Sequence, residues 1–139
     1  MFEISHKDLL QAPLHVALKR LMNVPGETSA VFNLLRIQRK FKIAMNEASE
    51  LHDALTKEFI VVEDGKPKAH AHPTSLMPYQ IKEGMESAFE AKIDEFLSMK
   101  VKIESYKVDL SDFPSFKPTA VELEAMSPLM EEVPEVPHQ

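Results

Sequence analysis

The stretch from Ser29 to Phe59, SAVFNLLRIQRKFKIAMNEASELHDALTKEF, decides the fold, because it holds a helical pattern throughout and no Gly or Pro interrupts it. Leu34, Phe41, Ala48 and Leu55 recur every seven residues, and Ile37, Ala44 and Leu51 fall between them. This is the a/d alternation of a helix laid against another helix, as in a coiled coil. Ala44 and Ala48 are small and would let a partner backbone come close. Arg36, Arg39, Lys40, Glu47, Glu50 and Asp53 lie off the seam and belong in water.

The natural partner for that seam is the next long periodic stretch, Tyr79 to Met99, with Ile81, Met85, Ala88, Phe89, Ile93, Phe96 and Leu97 on one face. Folded back antiparallel, the two predict a helical hairpin whose seam through Phe41, Ala44, Ala48 and Leu51 is buried. Gly84 inside the second helix would cost about 1 kcal/mol against Ala, and so marks a close crossing. Between the helices, IVVEDGKPKAHAHPTSLMP reads as a surface loop of roughly twenty residues, with a turn at Glu63-Asp64-Gly65 and a short hairpin through Ile60, Val61 and Val62.

Working outward, the N-terminal Phe2, Glu3, Ile4 and Ser5 alternate like a strand, and Ser5 with Asp8 has capping-box spacing. Pro13 suits a first helical turn, and Leu14, Ala17, Leu18, Leu21 and Met22 form the apolar stripe of a helix that stops near Asn23, before the Val24-Pro25-Gly26 turn. Val101, Ile103, Tyr106, Val108 and Leu110 suggest a bulged strand, whose partner would be the N-terminal one in a small two-stranded sheet joining the chain ends. Thr119 and Glu122 form a capping box for a last short helix. The fold expected is α+β, mainly α. One domain would span residues 1–127, and residues 128–139 would be an extended, acidic, Pro-rich tail.

Composition narrows the function classes. With 139 residues, of which 44% are hydrophobic, the chain can build a modest core. The absence of cysteine removes disulfides, thiol catalysis and thiolate metal sites. A net charge of −6 disfavours a general nucleic-acid binder. No apolar run reaches the ~20 residues of a membrane span, and MFEISHKD lacks the order of a signal peptide. The three glycines match neither G-x-G-x-x-G nor the P-loop spacing. No cofactor is expected.

Four features remain as candidate sites. His70-Ala71-His72 could ligate one metal on an extended backbone, but further ligands are missing, and a solvated loop is the reading preferred over a metal-dependent enzyme. His52, at the seam edge, reads as a buried, hydrogen-bonded histidine. Arg36, Arg39, Lys40 and Lys42 occupy the N-terminal half of the long helix, where the macrodipole disfavours cations by a few tenths of a kcal/mol each. Something outside their own helix should answer them. Glu90, Asp94 and Glu95 of the second helix are the preferred answer, ahead of a phosphate or nucleic-acid ligand. In the tail, Leu129, Val133, Pro134, Val136 and Pro137 are apolar on a segment too short to bury them, and Glu131, Glu132 and Glu135 would select a basic receiving surface, such as the cluster at Arg36 to Lys42 of a neighbouring copy.

The order of parts resembles small uncharacterised proteins of tailed bacteriophages. The pieces that carry the likeness are the long helix closing ELHDALTKEF, the loop EDGKP, the helix closing FLSMKVKIE, then VDLSDF and the final ELEAMSPLMEE. The His70 loop and the proline-rich tail depart from that pattern. The resemblance implies a phage context and transfers no catalytic motif. The expectation is therefore a non-enzymatic protein, in the host cytoplasm or the virion, that acts through contacts with itself or with another phage or host protein. A virion structural or assembly component is preferred to an inhibitor that sequesters a host factor.

Overall fold

The computed structural model describes residues 1–74 and 78–131. The fold is α+β and mainly helical, with two small two-stranded antiparallel sheets. The chain divides into two compact units, one built from Met1–Met45 with the chain from Lys100 on, the other from Asn46–Met99. The long helix α3 (Thr28–Thr56) contributes residues to both.

In the first unit, strand β1 (Phe2–Ser5) buries Phe2 and Ile4 and leaves Glu3 in solvent, as its alternation requires. Ser5 then caps α1 (His6–Leu9), its hydroxyl accepting from the Asp8 N–H at 3.1 Å. Helix α2 (Ala12–Met22) carries Pro13 in its first turn and buries Leu14, Ala17, Leu18 and Leu21, the i, i+3, i+4, i+7 face. These side chains share one core with Leu34, Ile37, Phe41 and Ala44 of α3. The Phe41 ring meets Phe2 edge-on, with centroids 6.3 Å apart.

Strand β1 pairs antiparallel with β4 (Lys100–Ile103), Phe2 opposite Ile103 and Ile4 opposite Val101. This is the pairing expected for the N-terminal strand, but β4 is shorter than the bulged strand read through Leu110. The chain turns at Ser105 and resumes pairing only at Val108, in a parallel bridge with Met130. The Val108 N–H donates to the Leu129 carbonyl at 2.8 Å, and the Glu131 N–H donates to the Val108 carbonyl at 2.9 Å. Helix α5 (Ala120–Met126) opens on the expected capping box, and a 3-10 turn, Ser127–Leu129, follows it directly.

The second unit has its own core of Phe59, Ile60, Ile81, Phe89 and Ile93. Its second helix, α4, covers Glu86–Ser98 and not the full span from Tyr79. Two observations give the reason. Ile81 forms a bridge with Ile60, so that segment is extended; and Gly84 adopts φ +81°, a left-handed conformation that ends the extended run ahead of the helix. Gly84 also has open space where a side chain would stand, so it marks a turn and not a close crossing. The segment read as a long loop is pinned by strands β2 (Val62–Glu63) and β3 (Lys66–Pro67), by an Ala69–Tyr79 bridge, and by hydrogen bonds from the Val61 N–H to Gln80 and from the Gln80 N–H to Lys68.

The expected seam on α3 is corrected at Leu51, which is 40% exposed, while His52 beside it is buried against the Phe96 ring. A strict seven-residue repeat assumes one continuous partner. Here Leu34, Ile37, Phe41 and Ala44 serve the first core, and Leu55 packs against the second.

Candidate functional site

Two surface features of the first unit are candidates. The first is a groove of about 290 Å³ where the opening turns of α3 (Ser29, Ala30 and Asn33) face the segment from Tyr106 to Asp109, with Asp112, Phe113 and Glu131 completing the wall. Its polar groups are committed to holding the walls together. The Asn33 amide donates to the Tyr106 carbonyl at 2.9 Å and accepts the Ser105 hydroxyl at 2.7 Å. The Asp109 carboxylate accepts both the hydroxyl and the backbone N–H of Ser111, at 2.7 and 2.9 Å, and these bonds hold its pKa below the ordinary range. The Glu27 N–H closes the base by donating to the Asp112 carbonyl. The groove offers shape and a mainly acidic rim, with Asp109, Asp112 and Glu131 against Lys107.

The second feature is the outward face of α3. Phe32 and Ile43 are 58% and 60% exposed and lie eleven positions apart, about three helical turns. Arg36 and Arg39 fall between them on the same face, with Lys40 and Lys42 to either side. Among the described residues of this unit, no carboxylate forms an ion pair with any of the four cations. On α4, Glu95 pairs with Lys92 of its own helix at 3.8 Å. A basic stripe ending in a bulky apolar residue at each end is thus presented to solvent. The sequence reading named the four cations but neither Phe32 nor Ile43, which are apolar residues lying off the expected seam.

The remaining candidates separate. Leu129 is corrected: it is fully buried in the first core and belongs to the fold, because the 3-10 turn after α5 carries it inward and the Val108 bridge holds it there. Val133, Pro134, Val136 and Pro137 lie outside the described residues. His70 uses its ring Nδ1 to accept the His72 N–H at 2.9 Å, a local turn contact. Among the described residues no group of three or more His, Asp or Glu side chains is placed to hold a metal ion. No helix among them is long and apolar enough to cross a membrane.

No family model, curated protein or solved structure matches the chain.

Proposed function

We propose that this chain is a non-enzymatic protein of a tailed bacteriophage that works through protein contacts, as a virion structural or assembly component. The observation that carries the contact role is the outer face of α3, where Phe32 and Ile43 stand exposed around Arg36 and Arg39. Large apolar side chains in water at ~25 cal/mol per Å² are an unfavourable surface for a protein that functions alone. Arginine beside aromatic and aliphatic anchors is the composition of binding hot spots. The partner is accordingly an acidic protein surface with apolar residues, on a second copy or on another protein of the assembly. The phage context rests on the sequence resemblance alone.

The test is particle composition. Purified virions of the encoding phage should hold the protein at a fixed ratio to the major capsid protein. The variant Arg36→Glu/Arg39→Glu, folded and expressed at the same level, should be depleted from them. Absence of the parent protein from particles, with synthesis early in infection, would overturn the structural role in favour of host-directed sequestration.

A further inference from the structure

We infer that the partner of the α3 outer face is a second copy of this chain, the two helices lying antiparallel about a two-fold axis at Ile43. The inference rests on the reading of that face as a docking surface and names what the face receives. Phe32, Arg36, Arg39, Ile43, Glu47 and Glu50 follow at steps of four, three, four, four and three residues along one unbroken helix, so they share one side of it, and all six are exposed. Outward from Ile43 the two arms match in spacing and oppose in charge. Arg39 and Glu47 stand four residues to either side, and Arg36 and Glu50 seven.

These four charges have no answer on their own helix. Three and four positions from Arg36 lie Asn33, Arg39, Phe32 and Lys40, and from Arg39 lie Arg36, Lys42, Leu35 and Ile43. Around Glu47 the same positions hold Ala44, Glu50, Ile43 and Leu51, and around Glu50 they hold Glu47, Asp53, Asn46 and Ala54. Each of these neighbours is neutral or of like charge, the arrangement that weakens a helix standing alone. Among the described residues none of the four charges forms an ion pair.

An antiparallel second copy answers all four at once. In a two-fold contact each pairing occurs twice, so Arg36 faces Glu50 of the partner subunit, Arg39 faces Glu47 of the partner subunit, and the reciprocal pairs follow. Ile43 meets its own counterpart on the axis. Phe32 and Ala54 lie eleven residues to either side of Ile43, so the ring of each copy comes over a small side chain of the other. Both bulky apolar groups of the face, Phe32 and Ile43, are thereby covered. A parallel pairing would set arginine against arginine and glutamate against glutamate, which repulsion disfavours.

The experiment is sedimentation equilibrium of the full chain across a concentration series, at low and at physiological salt. A dimer that weakens as salt rises is expected. Arg36→Glu/Arg39→Glu and Glu47→Arg/Glu50→Arg should each weaken dimerisation at least ~100-fold by setting like charges opposite one another, with far-ultraviolet circular dichroism unchanged. The fourfold variant should dimerise again, and so should an equimolar mixture of the two double variants, a rescue that damage to the fold would not show. Register is read separately, since the chain has no cysteine of its own. Ile43→Cys should give a disulfide-linked dimer on oxidation with copper phenanthroline. Phe32→Cys should not, because it lies ~33 Å from its symmetry mate at 1.5 Å rise per residue. A monomer at every concentration, a dimer indifferent to both charge reversals, no rescue in the fourfold variant, or readier cross-linking through Phe32→Cys than through Ile43→Cys overturns the inference. If the chain is monomeric while Arg36→Glu/Arg39→Glu is still depleted from particles, the face remains a docking surface and only the second copy as its occupant is lost.

Discussion

Arg20 grips Glu122 with two hydrogen bonds of 2.6 Å, Nε to Oε2 and Nη2 to Oε1, across a separation of 102 residues in sequence. The guanidinium also donates to the Lys117 carbonyl at 2.7 Å and lies 4.7 Å from the Phe116 ring centre. Glu122 is at the same time the capping-box acid of α5, accepting the Thr119 N–H at 2.9 Å. One carboxylate thus fixes the start of α5 and ties it to α2.

This carboxylate titrates low, held down to about 2 by the Arg20 bonds first and the Thr119 N–H second. A depressed folded-state pKa contributes stability that is complete above the ordinary value of 4.5 and is lost as pH falls toward 2. Urea midpoints of the parent should therefore fall through this window, and Glu122→Gln should flatten that part of the fall. Parallel pH profiles for the two proteins would remove Glu122 from the acid response.

Gly26 has no room for a side chain. A Cβ there would stand 2.5 Å from Cδ1 of Phe113 and 2.8 Å from the Asp112 carbonyl oxygen. The Phe113 ring is fully buried and the other neighbour is backbone, so neither can swing aside. Gly26→Ala should cost ~1–3 kcal/mol by overpacking, read as a lower urea midpoint with unchanged slope.

Shortening the chain separates fold from tail. A stop after Met126 removes Leu129 and Met130, both buried, together with the Val108 bridge. The single change Leu129→Ala should already cost ~2–5 kcal/mol. The longer truncation should unfold the first unit, while a stop after Glu131 should leave its circular dichroism and melting intact.

Phe89 anchors the second core and meets Phe59 at a centroid distance of 5.5 Å. Phe89→Ala should cost that core ~3–5 kcal/mol. Native-state hydrogen exchange should show the loss concentrated in amides of Asn46–Met99, with protection at Leu18, Leu21 and Phe41 largely retained.

The sequence discloses most where one residue type answers one local need. The long helix was readable to within a few residues, as were the Ser5 cap, the Thr119–Glu122 box and the pairing of the N-terminal strand, since capping and alternation are short-range effects. Leu51 was misread because periodicity records that a face is apolar and not which core it meets. The start of α4 was placed too early, since Ile81 and Met85 fit a helical stripe and a strand-then-helix path equally well until the left-handed Gly84 is known. Leu129 was assigned to a tail because Pro128 suggests a break, whereas a proline in a 3-10 turn can lead straight back into a core. At the candidate site the cations were legible from their placement on the helix. The exposure of Phe32 and Ile43 was not, since it depends on which faces the rest of the unit covers.

The pairing of Phe2 with Ile103 has a consequence for how the chain emerges from the ribosome. The first unit is assembled from two separated segments, and its closing residues, Leu129 and Met130, are made only after the whole of the second unit. The second unit is contiguous and can complete its core as soon as α4 is free of the exit tunnel. Loop closure over about a hundred residues is slow compared with local helix packing. The usual N-terminal-first order is therefore reversed: the interior segment matures first, and α2 waits with Leu14, Leu18 and Leu21 uncovered, open to chaperones, until Ile103 to Met130 arrive.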